Sequence, residues 1–171
     1  MRSSISQSGF TLIELLLYVG ITSIILLITS LFLSTLLESR IKNQTIAEVE
    51  QQGLGVMQLI TQSARNAGAI ISPAQGESAS SLSINVIIAS NNPTAFDLSS
   101  GAIRITEGAS AAVPLTNSRV TASGLTFQNL SRLNTPGTVQ IQFTLTHVNT
   151  EGRNEYNFSK TFYGSASLRQ P

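Results

Sequence analysis

The chain has 171 residues, a formal net charge of +1 and only 11% charged residues. Its length leaves room for one modest domain beside a membrane segment, and excludes a second catalytic domain. A charge so near balance provides no broad basic surface for bulk nucleic-acid binding, and a chain without cysteine has no disulfide, thiolate nucleophile or cysteine-based metal site.

Met1 to Gly9 is short and polar, with Arg2 as its only charged side chain. Gly9-Phe10-Thr11-Leu12-Ile13-Glu14-Leu15-Leu16-Leu17 then opens an apolar run that continues to about Leu37, and Glu14 is its single charge. As one α-helix of roughly 28 residues, at about 1.5 Å each, the run reaches about 42 Å and can cross a hydrocarbon core of about 30 Å. An ionised carboxylate at the bilayer centre costs roughly 3 kcal/mol, so Glu14 requires a partner. A secretory signal peptide carries its apolar region ahead of the cleavage point and loses it, whereas here Gly9 precedes that region. The helix is therefore expected to be kept.

Residues 9–14 read G-F-T-L-I-E, which resembles the processing and assembly signature of type IV prepilins and pseudopilins. The resemblance implies cleavage by a prepilin peptidase between Gly9 and Phe10 and N-methylation of Phe10. It also implies that Glu14 assists assembly by pairing with the new α-amine of Phe10, on its own chain or a neighbour's. Both charges are expensive when unpaired in lipid, so such a pair favours insertion in one axial register. On this reading residues 1–9 are a leader and 10–37 a transmembrane and filament-core helix. The implied partners are the peptidase/methyltransferase, other pilin or pseudopilin subunits, the membrane before assembly and an inner-membrane assembly platform. Arg40 and Lys42 beyond the run oppose Arg2 before it, with Glu38 offsetting them in part, so basic residues alone do not orient the helix. The resemblance does, placing the C-terminal domain outside the cytoplasm. Thr11, Tyr18, Gly20, Thr22, Ser23, Thr29, Ser30, Ser34 and Thr35 interrupt the Leu and Ile residues. They either let neighbouring helices approach closely or bond back to their own helix. Many major pilins have a helix-breaking proline in this region and a C-terminal disulfide; this chain has no proline before Pro73 and no cysteine.

From residue 38 the composition turns polar, yet Ile46, Val49, Gly53, Val56, Met57, Ile60 and Ala64 recur at helical spacing. Residues 38–68 are predicted to be the amphipathic half of the same helix, with Glu38, Lys42, Glu48, Gln51, Gln52, Gln58, Gln62 and Arg65 on a solvated face. Gly68 supplies a C-terminal stop. Thr45-Ile46-Ala47-Glu48 has the form of a capping box, which allows a break near Asn43; the unbroken helix is the preferred expectation. Gly53 and Gly55 each cost about 1 kcal/mol relative to alanine in a helix, which a close contact with another helix or a sheet would explain.

Residues 69–171 are predicted to form a β-rich globular domain, entered by a loop at Ser72 to Ser78. Leu82, Ile84, Val86 and Ile88 alternate as a strand; Ala95 to Leu98 and Ala102 to Thr106 form a hairpin about Ser99-Ser100-Gly101. Val120 to Leu130 is a strand with Val120, Leu125, Phe127 and Leu130 as its apolar residues and a bulge at Gly124. Pro136-Gly137 turns into the cleanest strand, Val139, Ile141, Phe143 and Leu145, and Tyr156, Phe158 and Phe162 line the last one. These runs predict an antiparallel sheet lying on Val49, Val56 and Ile60. The fold class is α+β and resembles the pilin fold, a long N-terminal helix whose second half packs on an antiparallel sheet. The stretch from Pro114 to Phe127 and the ending Phe162 to Arg169 are also similar to the C-terminal parts of minor pilins and J-type pseudopilins, which implies a minor subunit.

No constellation in the sequence points to catalysis. His147 is the single histidine, at a strand end and without a second imidazole, and is expected to be structural. Asp97, Glu107, Glu151 and Glu155 are dispersed among turns, and no nucleophile elbow or phosphate loop is present. A non-enzymatic protein without cofactor is the expectation. Two alternatives remain. Arg104, Arg119, Arg132 and Arg153 gathered into a basic patch would suit an adhesin or DNA-uptake subunit at a filament tip. A membrane-anchored protein that never enters a filament would need only the apolar helix.

Overall fold

A computed structural model describes residues 9–133 and 137–169. The leader assigned to residues 1–9 falls outside the described residues except for Gly9, and so does Pro136 of the turn expected at Pro136-Gly137. The chain divides into two compact units, Met1–Arg40 and Ile41–Pro171.

The first unit contains the beginning of helix α1, which spans Leu12–Arg65. Thr11 rather than Phe10 begins it, because the Thr11 carbonyl accepts the backbone N–H groups of Glu14 and Leu15 at 3.1 and 3.2 Å. Every large apolar residue from Phe10 to Leu37 is exposed, and α1 is apolar and long enough to cross a membrane. A continuous apolar surface of this kind needs lipid or other helices around it.

In the second unit α1 carries no break at Asn43. Thr45, the residue that would have capped a new helix, instead donates its hydroxyl back to the Ile41 carbonyl at 3.0 Å. The buried stripe of this half is Thr45, Val49, Gly53, Val56, Ile60 and Ala64, so Ile46 and Met57 lie at its margin. The helix stops at Arg65, without a glycine. Gly68 lies inside strand β1 (Ala67–Ser72), so the amphipathic half ends before residue 68 and the β-rich part begins before residue 69.

The remaining strands are β2 (Ser78–Ala79), β3 (Leu82–Val86), β4 (Thr94–Ser99), β5 (Ala102–Glu107), β6 (Val113–Pro114), β7 (Val120–Asn129), β8 (Thr138–His147) and β9 (Ser159–Ser167). They form two antiparallel sheets where the alternation suggests one: a five-stranded sheet in the order β1-β3-β4-β5-β6 and a four-stranded sheet in the order β2-β7-β8-β9. The fold is α+β, a long N-terminal helix packed on antiparallel sheets. Leu82, Ile84, Phe96 and Ile103 of the first sheet and Phe127, Val139, Ile141, Phe143, Leu145 and Phe162 of the second share one core with Val49, Val56 and Ile60. Each such side chain contributes about 1.5–3 kcal/mol on burial, which is how a domain without disulfides holds together.

The β4–β5 hairpin turns through Ser100 and Gly101, whose φ values of 51° and 75° match the two-residue turn that suits strand twist. β7 bulges at Gly124, which has φ 60°, and one extra residue enters between Ser123 and Thr126. That residue reverses the alternation. Ala122, Leu125, Phe127 and Asn129 consequently face inward, and Leu130, expected in the core, is exposed. Ile88 is exposed as well, because β3 ends at Val86, and Tyr156 sits in a 3-10 turn (Asn154–Tyr156) ahead of β9.

The polar residues of the amphipathic half are not all solvated. Lys42 donates to the carbonyls of Asn154 and Asn157 at 3.2 and 2.7 Å, and Glu50 accepts from Lys160 at 2.6 Å. Glu48 accepts from the Asn117 side-chain amide at 3.1 Å and lies 3.5 Å from Arg119 Nη1. These contacts tie the helix to the loops of the β part at positions whose spacing alone suggests water.

Candidate functional site

The residues singled out at the N-terminus lie on the first two turns of α1 and the three positions before it. Among the described residues nothing requires glycine at position 9: a Cβ built on it would meet nothing within 4 Å, and its φ is not positive. Phe10 is exposed beside it. Thr11 is the N-cap, its hydroxyl 3.4 Å from the Glu14 backbone N–H, in a Thr-x-x-Glu capping-box pattern at 11–14 that sequence reasoning missed. Glu14 occupies the first turn, where the positive end of the helix dipole favours a carboxylate.

Tyr18 is the residue that sequence reasoning passed over as a mere interruption of the apolar run. Its hydroxyl lies 3.4 Å from Glu14 Oε1, and the Phe10 ring meets its ring edge-on, with centroids 5.9 Å apart and an angle of 65°. Glu14 and Tyr18 are spaced by four, the interval that puts side chains over one another on a helix, and Phe10, two residues ahead of α1, reaches the same face through its ring contact with Tyr18. Further along, the hydroxyls of Ser23, Thr29 and Thr35 donate to the carbonyls of Val19, Ile25 and Leu26, and Leu31 and Phe32. Of the two readings of these hydroxyls, bonding to their own helix is the one realised at those three positions.

In the β part, His147 is stacked on Tyr156 with centroids 5.6 Å apart, and its Nε2 is 3.8 Å from Glu48 Oε2. The histidine is thereby part of the link between the helix and the end of β8. Among the described residues no group of three His, Cys, Asp or Glu side chains is placed to hold a metal. The arginines that would make a basic patch are engaged locally. Arg104 donates from Nε and Nη2 to the two oxygens of Asp97, its cross-strand neighbour, at 2.9 and 2.7 Å. That hydrogen-bonded carboxylate raises the Arg104 pKa above its ordinary value. Arg119 lies beside Glu48, and Arg153 donates to Glu155 at 2.9 Å, which together with the residue's own backbone N–H lowers the Glu155 pKa from 4.5. The charges of Arg104, Arg119 and Arg153 are thus offset by a carboxylate.

The family model of the prokaryotic N-terminal methylation motif matches residues 5–30. This supports a type IV pilin-like protein. No curated protein and no solved structure matches the chain. The motif covers the segment in which Gly9, Phe10, Glu14 and Tyr18 lie, and implies processing by a prepilin peptidase and assembly with other pilins. The pilin-like motif and the exposed apolar helix fit a protein anchored in the inner membrane and later found in a pilus.

Proposed function

We propose that this chain is a minor pilin or pseudopilin, a non-catalytic structural subunit of a type IV pilus or type II secretion pseudopilus. Prepilin peptidase cuts between Gly9 and Phe10, Phe10 is N-methylated, and the C-terminal domain lies outside the cytoplasm until an inner-membrane platform extracts the helix. Assembly is packing: the apolar surface from Phe10 to Leu37 exchanges lipid for neighbouring helices, with Glu14 paired to a Phe10 amine.

One observation carries this reading. Gly9 is a glycine that no contact and no backbone angle within the described residues requires, directly before an apolar run, Phe10 to Leu37, whose large side chains are all exposed and whose first helical turn holds a lone carboxylate. A requirement that the chain does not impose on itself belongs to another protein, and a peptidase that must bring the backbone into its own site imposes such a requirement. Mass determination of the mature N-terminus tests it. The expected product begins at an N-methylated Phe10, and Gly9 replaced by a bulky residue keeps the full-length chain in the membrane. Recovery of the natural protein with residues 1–9 attached overturns the proposal.

A further inference from the structure

We propose that Tyr18 is a positioning residue for Glu14, holding its carboxylate before the Phe10 amine exists and releasing it to that amine afterwards. This rests on the charge-pairing reading above and adds a residue to it.

The geometry points to a problem of timing. Until the bond between Gly9 and Phe10 is cut, Phe10 has an amide nitrogen and no cationic amine, so the charge that Glu14 is to pair with does not yet exist. In lipid an unpaired carboxylate is costly, and the first turn of a helix offsets that cost only in part. Of the described residues in 9–40, Glu14 alone is partly covered; all the others are exposed. Among the described residues of this unit, a side chain that reaches its carboxylate is that of Tyr18, four residues on. The phenol is suited to the task because it is apolar over most of its surface and carries one O–H donor at its tip.

The contact is long. At 3.4 Å the hydroxyl lies beyond the usual 2.5–3.0 Å of an O–H···O bond, so it directs the carboxylate without gripping it. An ammonium brings a full opposite charge as well as a donor, so at ordinary bonding distance it outcompetes this long phenol contact and displaces it. The edge-on contact of Phe10 with Tyr18 adds a second function, since it draws the residue that will bear the amine to the face on which Glu14 is held. One side chain therefore touches both members of the future pair.

The test uses the full-length chain in a host that assembles it, comparing the unaltered protein with Tyr18→Phe, Glu14→Leu and the double variant. Mass of the mature N-terminus and the fraction of subunit in sheared filaments are measured for each. Tyr18→Phe keeps the ring and its contact with Phe10 but removes the donor. It is expected to be cut and methylated normally, and to enter filaments about three- to tenfold less, the range that one net hydrogen bond spans. In the Glu14→Leu background the same change is expected to have no further effect, which a general packing role for Tyr18 would not reproduce. Normal incorporation of Tyr18→Phe beside a defective Glu14→Leu overturns this proposal and leaves the filament reading standing. Retention of the leader in Tyr18→Phe also overturns it, by assigning the tyrosine to recognition by the peptidase. Normal incorporation of Glu14→Leu removes the charge-pairing reading itself, and this inference with it.

Discussion

A side chain at Gly53 would run into the Phe162 ring, which is buried and stacks on Phe143 with centroids 5.3 Å apart. Two residues later, a Cβ at Gly55 would meet nothing within 4 Å. Helix propensity favours alanine over glycine at both places by about 1 kcal/mol, so packing alone separates them. Gly55→Ala is expected to stabilise the domain by about 1 kcal/mol. Gly53→Ala is expected to destabilise it, because displacing a buried ring costs about 1–3 kcal/mol and exceeds the gain in propensity. Denaturant unfolding of the two variants checks both signs; a stabilised Gly53→Ala would mean that the Phe162 ring gives way freely. The pair also limits what a residue type conveys. A glycine in a helical pattern announces that something is close, but neither its identity nor its spacing tells an internal ring from an empty surface.

At the level of elements, β7 shows how one residue reorganises a strand. Gly124, with φ 60°, lets an extra position enter opposite β8, and the inward side changes from even to odd numbers across it. Gly124→Ala is expected to cost roughly 1–2 kcal/mol, the penalty of a left-handed conformation for a residue with a Cβ. Deleting Gly124 is a sharper test, since without the extra residue Ser123 and Leu125 alternate directly and Leu125, Phe127 and Asn129 keep their inward places opposite β8. Asn129 would then keep its buried bond to the Pro73 carbonyl, 2.9 Å from its side-chain amide. Circular dichroism of the deletion variant should show a cooperative melt; loss of cooperative folding would mean that the bulge itself is needed for β7 to pack. The glycine signalled the bulge in the sequence, and β8 was legible outright because Val139, Ile141, Phe143 and Leu145 alternate without interruption. Other elements were not legible. Ala67–Ser72 has too few β-branched residues to read as a strand, yet pairing with β3 makes it one. The separation into two sheets follows from pairings between distant strands, which alternation within each strand cannot encode. At the N-terminus, Gly9, Phe10 and Glu14 were legible as a motif, whereas Tyr18 emerged only when its hydroxyl was placed against the carboxylate.

Over the whole molecule, burial is divided unevenly between the two units. Every buried hydrophobic residue among those described lies between Val49 and Leu168, and the run from Phe10 to Leu37 contributes none. The second unit therefore contains its own core, drawn from one helix face and two sheets, and its stability does not depend on what surrounds the apolar helix. The first unit is the reverse case: its helix bonds are made internally, as a membrane requires, but its large apolar side chains from Phe10 to Leu37 are all exposed. A fragment beginning at Glu38 is expected to be soluble without detergent, rich in β-structure, and to unfold in one cooperative transition. The full-length chain is expected to need detergent or filament neighbours to remain dispersed. Circular dichroism and size-exclusion chromatography of the fragment decide the matter. An aggregated or unfolded product would show that the β part needs the apolar helix for its own folding, and the division of labour between anchor and globular domain would have to be given up.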